Sequence, residues 1–132
     1  MDKIVSHKDL IVWQKSVALA CKVYAASRLL PRDERFGLQR QLRLTAVAVA
    51  SRIAEGAASQ SRAQFVQSLL ASRCSLSELE TQYLIASRLS PGDQTRATLE
   101  EIAEVGRLLN GLIRSLVASK RAAHAKACAP QR

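Results

Sequence analysis

The side chains best suited to chemistry are few and scattered. Two histidines, His7 and His124, stand near opposite ends of a 132-residue chain. Neither has a Cys, Asp or Glu at ligand spacing on a helical segment, so neither forms part of a zinc site or a general-base pair. Both read as solvent-exposed. The three cysteines, Cys21, Cys74 and Cys128, are far apart and lack a C-x-x-C spacing. That usage suits a reduced, cytoplasmic protein, with Cys74 as a packed or interface thiol. The sequence has no glycine-rich phosphate loop, no G-x-S-x-G elbow and no Glu-x-x-His signature of dimetal bundles. Glu80 falls beside the apolar stripe from Leu76 to Tyr83, where burial would demand a cation. Arg43 or Arg73 is expected to supply it in a structural ion pair. No second carboxylate is placed to make a catalytic pair. These residues predict no enzyme, no metal, no cofactor and no small-molecule substrate.

The arginines are the stronger signal. Between Arg35 and Arg73 the chain carries Arg40, Arg43, Arg52 and Arg62 against a single acid, Glu55, and the whole sequence has a net charge of +9. Guanidinium groups three or seven residues apart on a helix share a side, as Arg40 and Arg43 do, and Arg107 and Arg114. Such sets contact phosphates, and they equally form ion pairs between subunits. Arg43 and Arg52 are assigned to self-association. Arg40, Arg107, Arg114, Lys120 and Arg121 are assigned to a surface for RNA or DNA. The alternatives are an acidic protein partner, or charge that serves solubility alone.

Hydrophobic residues make up 48% of the chain and aromatics 4%. Such a chain folds around an aliphatic core. With three prolines and five glycines, it favours a few long helices. The first is expected from about Asp9 to Leu30, capped by Ser6 or Asp9, with Leu10, Trp13, Val17, Ala20, Cys21 and Tyr24 as its core stripe. The second starts near Asp33 and Glu34 and buries Leu38, Leu42, Thr45, Ala46, Val49 and Ile53. The third begins at Ser61 and presents Phe65, Leu69, Ser72, Leu76, Leu79 and Tyr83 at heptad-like spacing. Ser90-Pro91-Gly92-Asp93 is a turn. The fourth, from Thr95 to Ser119, buries Ile102, Val105, Leu109, Leu112, Ile113 and Leu116. Residues 1–119 thus predict one all-α domain, an antiparallel up-down four-helix bundle, and residues 120–132 a frayed basic tail. No apolar run approaches the roughly 20 residues of a membrane span, and the N-terminus lacks an apolar signal-peptide region. A membrane partner is not expected.

Within the second helix, Leu44-Thr45-Ala46-Val47-Ala48-Val49-Ala50 is apolar or small on every side. A helix that packs only into its own domain needs one apolar stripe. Thr45, Ala46 and Val49 lie on the core stripe, which leaves Leu44, Val47 and Ala50 for another surface. With Arg43, Arg52 and Glu55 they form the expected interface of a homo-oligomer.

Several landmarks recur in the order known from one family. Leu10-Ile11-Val12-Trp13-Gln14 resembles L-x-V-W-Q. Pro31-x-x-Glu34-x-Phe36-Gly37-Leu38, followed by Gln41, resembles P-x-x-E-x-F-G-L-x-x-Q. Ile53-Ala54-Glu55-Gly56 resembles N-I-A-E-G, and Ser75-Leu76-x-Glu78-Leu79-Glu80-Thr81-Gln82 resembles G-S-L-x-E-L-E-T-Q. The chain therefore resembles the bacterial four-helix bundle family that includes proteins encoded in intervening sequences of large-subunit ribosomal RNA genes. The resemblance implies a bundle protomer and a ring of five copies. It also implies nucleic-acid binding of the kind shown by a similar accessory protein of diversity-generating retroelements. The chain departs from the pattern at Leu44-Thr45, where Arg-Ala is typical, at Ala48 for Ser, at Arg52 for Asn and at Cys74 for Gly.

Overall fold

A computed structural model describes the backbone of residues 6–127 and the side chains up to residue 119. Four helices run up and down around one core: α1, Ile11–Ser27; α2, Leu38–Ala58; α3, Arg62–Leu89; and α4, Thr95–Ala127. There is no strand among the described residues. Each helix packs on its neighbours in the order α1, α2, α3, α4 and back to α1, which leaves α2 and α4 diagonal.

The helix ends follow local chemistry. Ser61 caps α3, its Oγ accepting from the Gln64 amide at 3.0 Å. Ser6 caps a short 3₁₀ turn, His7–Asp9, which precedes α1. A second 3₁₀ turn, Arg32–Glu34, occupies the place where α2 was expected to begin. The Glu34 carboxylate accepts from the Leu38 amide at 3.2 Å, so this acid supports the start of α2 from outside the helix. The helix α4 continues beyond Ser119 to Ala127, where a frayed tail was expected. Residues 128–132 of that tail, with Cys128, lie outside the described residues, as do the side chains of Lys120, Arg121 and His124.

The core is aliphatic. Leu19, Leu42, Ile53, Leu69, Leu79, Ile102 and Leu109 are fully enclosed, each worth about 1.5–3 kcal/mol when taken from water. The stripes expected for α2 and α3 are buried, apart from a half-buried Leu38, and so is that of α4, apart from a half-buried Leu112. At the centre of the α2–α3 contact, the buried Ser72 Oγ donates to the Val49 carbonyl oxygen at 2.7 Å.

In α1 the expected stripe is the wrong one. The helix buries Val12, Ser16, Leu19, Val23 and Ser27. Both serines bury without an orphaned hydroxyl, because Ser16 Oγ donates to Val12 O and Ser27 Oγ to Tyr24 O, each at 2.7 Å. Trp13, Ala20 and Tyr24 are half-buried at the edge of the core, while Val17 and Cys21 are exposed.

Lys15 pairs with Glu104 at 3.1 Å, and Lys22 pairs with Glu101, tying α1 to α4 along the opposite flank. Glu80 is exposed and has no such partner among the described residues. It follows Leu79 by one position and so turns about 100° off the buried seam. The cations expected to neutralise it are engaged elsewhere, Arg43 with Ser27 and Arg73 with Asn110.

Candidate interface and basic recess

The displaced stripe of α1 has a purpose in the geometry. Trp13, Val17, Ala20 and Tyr24 of α1 face Val47, Ala50 and Ala54 of α2 across an open groove of about 650 Å³. Its walls are mostly apolar, and Val17 and Val47 remain 37% and 44% exposed. His7 is half-buried at its end, edge-on to Trp13 with ring centres 4.9 Å apart. That corrects the expectation of a solvent-exposed histidine. Cys21 and Cys74 are both exposed, Cys21 on the groove and Cys74 on α3.

Tyr24 also lines a second recess, formed with Arg35, Phe36, Gln39, Arg40, Arg43 and Leu44, of about 470 Å³. Groove and recess therefore form one continuous surface along α1 and α2, apolar at one end and basic at the other. The Arg43 guanidinium is held at two points: its Nε donates to Ser27 Oγ at 2.9 Å and its Cζ lies over the Tyr24 ring, 4.9 Å from the ring centre. Arg35 lies over the Phe36 ring at 5.5 Å, and Phe36 is 82% exposed.

The expected interface residues divide. Val47 and Ala50 line the groove, Arg43 and Leu44 the recess. Arg52 and Glu55 line neither; they are exposed and pair with each other at 3.3 Å. The groove residues of α1 and Ser51 and Ala54 of α2 were missed. The sequence signal was partial: Val12, Leu19 and Val23 form a second apolar row on α1, but Ser16 and Ser27 interrupt it.

The expected polyanion residues do not share a surface. Arg40 is on α2 and Arg107 and Arg114 are on α4, across the diagonal of the bundle. Arg107 lies in a shallow recess with Glu100, Glu101 and Glu104, which are paired with Arg96, Lys22 and Lys15 respectively. Arg114 is exposed. Among the described residues no three His, Cys, Asp or Glu side chains converge on a metal-sized site, and no helix is long and apolar enough to cross a membrane.

The family model of the 23S rRNA-intervening sequence protein matches residues 8–111. The chain belongs to that family. The matched span includes the recess and all of the groove except His7, and stops short of Arg114. Its fold is similar to a crystal structure of a protein of unknown function from the S23 ribosomal protein family of Bacteroides thetaiotaomicron. The TM-score is 0.71 with 24% identity, covering 81% of this chain and 98% of that one. No curated protein matches the chain.

Proposed function

We propose that this protein is a non-enzymatic assembly module, a homo-oligomer built through the α1–α2 groove. The carrying observation is the groove itself, in which two neighbouring helices each turn a second apolar stripe outward. A monomer would leave Trp13, Val17, Tyr24 and Val47 against water, and a contiguous apolar patch of this kind marks an interaction surface. The occupant is a second copy of the chain, and the family resemblance favours a closed ring of five. Native mass measured across micromolar concentrations tests this. A multiple of the protomer is expected, and a monomer throughout overturns the reading.

A second reading concerns the basic end of the same surface. Arg35, Arg40 and Arg43 converge around an exposed aromatic ring, which supports binding of RNA or DNA through phosphates with a base laid on Phe36. Assembly repeats this recess once per copy, so that several phosphates are met by one ring and affinity rises by multivalency. Binding is expected to fall steeply with salt and to show little sequence preference. An absence of binding at low ionic strength overturns it. Capture of an acidic protein without nucleic acid would favour the adaptor alternative.

A further inference from the structure

The end of the bundle away from the α2–α3 turn holds a separate cavity of about 260 Å³, bounded by the last turns of α1 and α3, the loop before α4 and the first turn of α4. Its walls are chiefly apolar, with Ala26, Leu30, Leu42 and Ala86 among them. Three hydroxyls at its margin are already satisfied. Ser87 Oγ donates to Tyr83 O at 2.8 Å, Ser90 Oγ to Leu29 O at 3.0 Å and Thr95 Oγ1 to Gly92 O at 3.0 Å. Two other hydroxyl residues line the cavity, Tyr83 and Thr98, at 4% and 3% exposure. Neither hydroxyl is used in those bonds, and neither is an enclosed, unpartnered atom of the kind that Gln82 Oε1 is. A buried hydroxyl needs a partner, and here water or a ligand in the cavity can supply it.

The charges on the rim narrow the occupant. Lys22 is committed to Glu101, and Asp93 is exposed in the loop. An anionic ligand would have to compete with Glu101 for Lys22, and a carboxylate would meet Asp93. For scale, an apolar cavity of about 150 Å³ holds benzene. We infer that this cavity is a binding site for a small neutral amphiphile, of two fused rings or similar bulk, with one hydrogen-bonding group that meets Tyr83 and Thr98. Such a ligand bridges the end of α1 to the α3–α4 loop.

The test uses the full chain with 2-naphthol and, as the ring without a hydroxyl, naphthalene. Titration followed by amide NMR is expected to shift Ala26, Ala86 and Thr98 and to leave Ala50 and Ala54 in place. Tyr83→Phe and Thr98→Val keep the volume and remove one hydroxyl each. Each is expected to weaken 2-naphthol about 5- to 10-fold and to leave naphthalene within about twofold, in line with a neutral hydrogen bond. Ala26→Leu, which fills the cavity, is expected to abolish binding of both, and circular dichroism checks that each variant is folded. The site is overturned if millimolar 2-naphthol shifts none of these amides, if the hydroxyl-deleting variants bind both probes alike the parent, or if folded Ala26→Leu binds undiminished.

Discussion

Gly56 of α2 lies so close to α3 that a Cβ built on it would stand 2.7 Å from the Ser68 Cβ and 2.9 Å from the Phe65 ring. The constraint is packing: its φ lies in the ordinary negative range, so any residue could adopt the backbone if space allowed. The glycine closes the Ile53-Ala54-Glu55-Gly56 landmark one turn before the short link to α3. It lets the two helices approach where that link holds them together.

Gly56→Ala is therefore expected to destabilise the fold by about 1–3 kcal/mol through overpacking, despite alanine's better helix propensity of about 1 kcal/mol. Urea unfolding should show a lowered midpoint with an unchanged slope. Equal or greater stability would mean that α2 and α3 separate at no cost.

The two stripes of α1 give a second expectation. Leu19 is fully enclosed and Val17 is on the groove. Leu19→Ala should cost about 2–5 kcal/mol. Val17→Ala should change protomer stability by no more than about 0.5 kcal/mol. A reversed order in thermal unfolding would restore the stripe read from sequence.

That pair also shows where sequence reading succeeds and fails. In α2, α3 and α4 the large aliphatic residues mark the buried face, and periodicity finds it. In α1 the larger and more aromatic stripe, Trp13-Val17-Tyr24, faces outward, and the buried one contains Ser16 and Ser27. A hydropathy argument treats those serines as polar. Their hydroxyls bond to the helix's own carbonyls, which removes the cost of burial and makes the serines small core residues. Glu80 fails for the opposite reason: proximity in sequence to Leu79 carries no proximity to the core when each residue turns the helix by about 100°. The outward Val47 and Ala50 were legible, because one helix with two apolar faces is visible in sequence. Their partners across the groove were not, since pairing them requires the packing of α1 on α2.

Val47→Glu places a charge in the groove without touching the enclosed core. The protomer should keep its helical signal and thermal transition while the native mass falls to that of one chain. Thiol labelling gives an independent reading. Cys21 lies on the groove and Cys74 is exposed on α3, so in the assembled parent Cys21 should label at least about tenfold more slowly than Cys74. In Val47→Glu the two rates should converge. Equal rates in the parent would place the assembly surface elsewhere.

Charge at the recess and charge on α4 can be separated in the same way. If Arg40 meets phosphate beside Phe36, Arg40→Glu should weaken a single-stranded oligonucleotide and reduce the slope of log affinity against log salt by about one contact. Phe36→Ala should remove about 1–3 kcal/mol of base stacking without altering that slope. Arg107→Glu should do little, because α4 lies diagonally across the bundle from α2 and its recess. Fluorescence anisotropy at several salt concentrations measures all three. The distinction matters because net charge alone predicts a different result: a diffuse +9 field would make the two charge reversals equivalent and leave Phe36→Ala silent. Affinity losses that follow the recess, and not the count of arginines removed, are what a positioned nucleotide requires.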